Sequence, residues 1–179
     1  MMKDYDFTLK FNLTDSHTDP QEYVNRLYLS GCDDALIGIG KKGSISLNFI
    51  RSAESAYIAI SSAILDVKQA IPQSIVIEAT PDLVGLTDVA KILGCTRQNI
   101  RNLVVNSDRR SPIPVYEGTP SLWHLSEILT WLQDEKMYAI DDSVLDVAKI
   151  SMEINTACCW QQITPEHQVK LEALVARSI

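Results

Sequence analysis

Residues 86–103 read LTDVAKILGCTRQNIRNL, and the spacing in this stretch predicts two short helices joined by a tight turn. Thr87 can cap the first helix, with Asp88 in the first turn where the helix dipole favours an acid. Val89, Ile92 and Leu93 recur at helical spacing, and Ala90 is small enough for a second helix to cross close by. Gly94 suits the left-handed residue that ends a helix, and Cys95 is an apolar plug in the turn. Thr96 then caps a second helix whose inner face is Ile100 and Leu103. The outer face carries Arg97, Gln98, Asn99, Arg101 and Asn102, side chains that can read base edges or hold phosphates. The pattern is that of a helix-turn-helix, with an ordinary helical hairpin as the plainer alternative.

Downstream, residues 111–123 (SPIPVYEGTPSLW) predict a short β-hairpin with Gly118 at its turn and prolines confining the first arm to an edge. Such a hairpin is the wing of a winged helix. Leu125, Ile128, Leu129 and Leu132 predict a third amphipathic helix, with Trp123 and Trp131 sealing a small core. From Asp141 onward, Val144, Val147, Ala148 and Ile154 mark another helix. Thr164-Pro165-Glu166 starts a last one, carrying Val169, Leu171, Leu174 and Val175. These two helices can bury their apolar faces on their own domain or on a second copy. A dimer contact is the expectation, because a helix-turn-helix commonly reads paired half-sites.

Upstream, residues 5–13 alternate (Tyr5, Phe7, Leu9, Phe11 and Leu13 apolar), the period of a half-buried strand. Asp19, Pro20 and Glu22 read as the start of a helix that faces a core with Tyr23 and Leu27 and stops at Gly31. Residues 35–39 and 44–50 predict two strands. Ser52 caps a long helix running through Ala56, Ile60, Ile64, Val67 and Ala70 and ending before Pro72, and residues 74–79 form a last strand. The order β-α-β-β-α-β is that of a ferredoxin-like sandwich, a four-stranded antiparallel sheet covered on one side by two helices. The expected fold class is therefore α+β. A ferredoxin-like interaction or sensing domain spans residues 1–80, a winged helix-turn-helix residues 82–133, and C-terminal helices, a candidate dimerisation element, residues 134–179.

The 179 residues carry a net charge of −7, with 46% hydrophobic and 22% charged residues, an ordinary balance for a globular chain. That charge argues against a protein that simply coats nucleic acid. Its distribution says more. Residues 1–80 hold 7 Lys+Arg against 10 Asp+Glu, residues 81–133 hold 5 against 5, and residues 134–179 hold 4 against 8. Within the neutral middle, Arg97, Arg101, Arg109 and Arg110 face only Asp108 between positions 96 and 110, a local basic spot where a recognition helix would lie. DNA binding by such a chain should be dimeric or assisted, and strongly salt-sensitive. No stretch is long and apolar enough to span a membrane, and the first residues lack the apolar run of a signal peptide, so a cytoplasmic protein is expected.

Several motifs resemble chemistry without its context. Residues 38–43 (GIGKKG) fit G-x-G-x-x-G, but a dinucleotide site needs that loop to open a helix, and here an alternating strand follows. Cys32, Cys95, Cys158 and Cys159 show no CxxC spacing, and His17, His124 and His167 complete no ligand set, so no metal is expected and the thiols should be free. Neither an activated-serine elbow nor HExxH is present, and no enzyme activity or cofactor is expected. His124 can cap a helix or touch a phosphate.

Residues 84–101 (VGLTDVAKILGCTRQNIR), with WHLSEILTWL at residues 123–132, resemble the MerR-like and excisionase-like helix-turn-helix proteins. In that group a short winged hairpin is followed by a Trp-x-x-x-(Asp/Glu)-(Ile/Val)-x-x-Trp-Leu helix. The whole chain also resembles a bacterial group of helix-turn-helix DNA-binding proteins whose α+β N-terminal domain carries an Ala-Leu-Ile-Gly-Ile-Gly segment, as at residues 35–40. The resemblance implies a transcriptional regulator or accessory factor that places the second motif helix in the major groove of double-stranded DNA, as a homodimer. The expected DNA contacts are Thr87, Thr96, Arg97, Gln98, Asn99, Arg101 and Asn102, with Arg109 and Arg110 on the backbone near the wing. The alternative is an adaptor or antitoxin-like protein whose main partner is another protein and whose DNA binding is secondary.

Overall fold

A computed structural model describes residues 1–14, 17–38, 40–105, 111–136 and 138–176. The chain opens with β1 (Lys3–Asn12), whose alternation puts Tyr5, Phe7, Leu9 and Phe11 inside and Asp4, Asp6 and Lys10 in solvent. It pairs antiparallel over its whole length with β3 (Ser44–Ala53). At the centre of that ladder Phe7 opposes Phe49, their rings stacked with centroids 5.3 Å apart. β2 (Ala35–Gly38) adds to the far side of β3 and β4 (Ile75–Thr80) to the far side of β1, again antiparallel. The result is a four-stranded sheet of order β2-β3-β1-β4 in a mixed α+β chain.

Three helices pack on its apolar face, two from residues 24–70 and one from the C-terminal part of the chain. α1 (Val24–Leu29) follows a 3-10 turn at Pro20–Tyr23 that Asp19 caps, its carboxylate accepting from Gln21 N–H at 3.0 Å. Gly31 ends α1 at φ +98°, where only glycine is free of strain. α2 (Ala56–Ala70) buries Ala56, Ala59, Ile60, Ala63, Val67 and Ala70, a largely small-residue stripe that lets the helix lie close to the sheet. Its cap is Ser55 rather than Ser52. Ser55 has the extended backbone of a cap and its hydroxyl accepts from Ile58 N–H at 3.3 Å, whereas Ser52 still belongs to β3. The strand runs on because Arg51 anchors it. Its guanidinium donates to both oxygens of Asp34 (2.7 and 2.9 Å), to Asp66 (2.7 Å) and to the carbonyl of Gly31 (2.7 Å), tying β3 to both helices. Beside it lies Cys32, whose thiol burial pushes up to about 11, with the Asp66 carboxylate adding to the shift. The segment holding Gly38, Gly40 and Gly43 joins two antiparallel strands and opens β3, not a helix.

A second core forms around α3 (Leu86–Ile92), α4 (Arg97–Val105) and α5 (Leu125–Lys136), with β5 (Leu83–Val84) paired antiparallel to β6 (Trp123–His124). Val89, Ile100, Leu125, Ile128, Leu129 and Leu132 are fully buried there, and Trp123 and Trp131 seal its margin. α3 starts one residue before Thr87. The β5–β6 ladder ends at Val84, so Gly85 becomes the cap and the Asp88 carboxylate accepts its N–H at 3.1 Å, leaving Thr87 exposed inside the first turn. Gly94 has φ +63°, and Thr96 caps α4 by accepting from Asn99 N–H at 3.2 Å. Between α4 and β6 the hairpin reduces to one bridge, Tyr116 with Leu122, closed by two backbone hydrogen bonds of 3.3 and 3.0 Å.

The two C-terminal helices behave differently. α6 (Asp142–Gln161), capped by Asp141, places Val147 in the sheet core and Leu145 and Ala148 in the second core. Its Asn155 side chain takes the place of a fifth strand at the β4 edge. Oδ1 accepts from Ala79 N–H at 2.7 Å and Nδ2 donates to Ala79 C=O at 2.8 Å. The same Nδ2 reaches Asp82 at 2.8 Å, and Asp82, 3% exposed, meets His124 Nδ1 at 2.6 Å. α6 thus finds its cover inside the chain, whereas α7 (Pro165–Val175) buries none of its residues. Among the described residues no helix is long and apolar enough to cross a membrane.

Candidate nucleic-acid interface

The Gly94 turn crosses α3 and α4 so that Ile100 points into the core and the opposite side of α4 faces solvent. At 3.6 residues per turn, Gln98 and Asn102 stand on the crest opposite Ile100, and Arg97 and Arg101 lie together on one flank. The crest residues are linked, Gln98 Nε2 donating to Asn102 Oδ1 at 2.8 Å. One carbonyl oxygen (Gln98) and the amide hydrogens not used in that bond then point outward, the donor and acceptor set that matches an adenine edge.

The arginine flank borders a groove of about 400 Å³ between α4, the start of α3 and the hairpin. Thr87 lies on its α3 wall, and Thr119 and Ser121 lie on the hairpin wall. Arg97 and Arg101 are exposed and have no carboxylate partner among the described residues. Among the described residues the one acid on the wall is Asp88, engaged by Gly85 N–H at 3.1 Å and by Lys91 at 3.9 Å. Two guanidinium groups without a carboxylate among the described residues, with hydroxyls beside them in an open groove, are suited to a polyanion rather than to an apolar ligand.

The structure therefore brings Thr87, Arg97 and Arg101 together and sets Gln98 and Asn102 beside them. Asn99 turns to the other flank, where its Nδ2 lies 3.5 Å from the Tyr138 hydroxyl. Thr96 is committed to the cap. Arg109 and Arg110 lie outside the described residues. His124, expected as a cap or phosphate contact, instead binds the buried Asp82. Sequence reasoning missed Thr119 and Ser121. The hairpin pattern gave their position, but only the folded approach of α4 shows that they share a wall with the arginines. Gly118 is held there by packing, since a Cβ would lie 2.0 Å from the Tyr116 ring.

No family model matches the chain, and comparison with curated proteins and with solved structures likewise gives no match.

Proposed function

We propose that the chain is a non-enzymatic, sequence-specific DNA-binding regulator of the winged helix-turn-helix kind, similar to the MerR-like and excisionase-like proteins. The observation that carries the reading is the pair Arg97 and Arg101, unpaired among the described residues and facing one groove with Thr87 and the hairpin. In this reading α4 enters the major groove, the crest amides of Gln98 and Asn102 read an A·T pair, and the arginines and hairpin hydroxyls hold phosphates. The element order and the β2-β3-β1-β4 order of the sheet support a ferredoxin-like N-terminal domain, here an interaction or sensing module. A second reading, an adaptor for a basic protein partner, draws its support from the acidic ends of the chain.

Selection from a randomised duplex pool, followed by fluorescence anisotropy across a salt series, tests this. The expected result is an enriched motif, bound with a steep salt slope. Arg97→Ala and Arg101→Ala should each flatten that slope by about 1 while leaving the selected sequence unchanged, as loss of one phosphate contact requires. A pool that yields no motif, or two variants that bind like the parent, would sink the reading and leave the adaptor.

A further inference from the structure

β1 has two edges, and one of them is only half used. Ile50 N–H bonds the carbonyl of Asp34 on the β2 side, so Phe49, its neighbour in β3, turns its backbone groups to β1. Phe7 opposes Phe49, and the odd-numbered residues of β1 therefore spend their N–H and C=O on β3. The even-numbered residues face the other way. Asn155 fixes the same phase independently. It holds the N–H and C=O of Ala79, so Ala79 turns away from its partner Leu9, and Thr80 turns toward Thr8. β4 ends at Thr80. Asp4 and Asp6 lie beyond that end, and their backbone groups, two donors and two acceptors, face no strand among the described residues.

Beside this open edge lies a cleft of about 390 Å³, where Pro81, Ile92 of α3 and Val144 and Val147 of α6 meet β1. Lys3 reaches Asp142 in the first turn of α6 at 3.5 Å and fixes the start of the strand. On the solvent face of the sheet Asp4 and Asp6 are exposed. Ser52 Oγ donates to Asp4 and Asn48 Nδ2 to Asp6 at 3.0 Å, but no lysine or arginine among the described residues pairs with either acid. We infer that this edge of β1 receives an extended segment of a partner protein as an added strand, in line with β4, with basic and apolar residues alternating along it. Side chains directly opposite in an antiparallel pair share a face. The residues across from Asp6 and Asp4 therefore meet carboxylates, and the residue across from Tyr5 points to the face that α6 covers, toward the apolar cleft. A second copy is the wrong partner, because this edge paired with itself sets acid against acid.

The inference holds whether or not α4 binds DNA, and its test contains no DNA. The probe is the peptide acetyl-Lys-Val-Lys-Val-amide, titrated into the full chain and followed at the backbone amides by NMR. In the free chain the Asp4 and Asp6 amides should exchange with solvent at least about 100-fold faster than those of Phe7 and Leu9. The peptide should shift the Asp4 and Asp6 resonances and slow their exchange. N-methylation of both its lysines removes the donors that face β1 and should weaken binding about ten-fold or more, whereas N-methylation of its first valine, whose N–H faces away, should not. The double variant Asp4→Lys, Asp6→Lys should lose this peptide and take acetyl-Glu-Val-Glu-Val-amide in its place. An Asp6 amide that exchanges slowly in the free chain overturns the proposal, since the edge is then covered within the chain or, where protection grows with concentration, by a second copy. So does a peptide that shifts neither resonance, and so do N-methylated lysines that bind as tightly as the parent peptide.

Discussion

Replacing Asn155 with alanine removes three hydrogen bonds at once, those to Ala79 N–H, to Ala79 C=O and to Asp82. Ala79 is fully buried, so both its edge-facing backbone groups lose their partner, and among the described residues the buried Asp82 carboxylate keeps only His124. A net hydrogen bond is worth about 1 kcal/mol and an orphaned buried group costs about 1–3 kcal/mol, so Asn155→Ala should destabilise by about 3 kcal/mol even if water enters part of the gap. For a chain of this size that is a fall in Tm of about 6–12 °C. Thermal and urea unfolding followed by circular dichroism read both quantities. Asn155→Asp should be at least as damaging at neutral pH, because a carboxylate can accept from Ala79 N–H but cannot donate to Ala79 C=O, and it repels Asp82. A loss below about 1 kcal/mol for Asn155→Ala would refute the closing of the β4 edge by this side chain.

Three further outcomes are expected. Gln98→Ala and Asn102→Ala should each cost about 1–3 kcal/mol at the same A·T pair of the selected site while leaving affinity for random duplex almost unchanged; equal losses on both duplexes would remove the crest amides from base reading. Arg51→Lys keeps the charge but loses the fork that spans Asp34, Asp66 and Gly31, and should destabilise by about 2 kcal/mol in urea unfolding; a variant as stable as the parent would show that the charge alone suffices. Cys32 gives a pH signature. Its folded thiol titrates at about 11 against an ordinary 9.0, so between those values the unfolded chain sheds the proton first and stability falls as pH rises, with no effect below. Unfolding at pH 8 and pH 10.5 should show that fall in the parent and a smaller one in Cys32→Ala.

The parts of this fold that were legible in the sequence are those set by local pattern. β1 alternates because one face of its sheet meets solvent, and the second helix of the motif starts at Thr96 because a hydroxyl there caps it. What escaped depends on distant partners. Gly85 became a cap only because a two-residue ladder pairs Val84 with Trp123, too short to leave a periodic trace. Asn155 reads as one more polar residue in a helix, since the backbone it satisfies lies 76 positions away. Arg51 did leave a signal, a charge in register with Ile45, Leu47 and Phe49 on the buried side of a strand. Such a residue needs fixed partners, and the acids at 34 and 66 supply them. The groove around Arg97 and Arg101 was half legible, its helix side from the motif and its hairpin side only from the fold.

The packing of α6 bears on how such a chain would measure DNA. A recognition unit on a free linker would let α4 turn relative to the rest of the molecule. Here one helix is buried in both cores, and Asp82 joins Asn155 of that helix to His124 of the hairpin-bearing strand β6. α4 is therefore oriented by the same body that carries the four-stranded sheet. If the chain reads paired half-sites, the fixed orientation of α4 limits the spacing it can match, and half-sites would recur at about one helical turn, 34 Å, or a multiple of it. Loosening α6 at Asn155 should then broaden the half-site spacing that selection recovers before it abolishes binding to a single half-site. If Asn155→Ala leaves the selected spacing as sharp as in the parent, the orientation of α4 is set elsewhere than through α6.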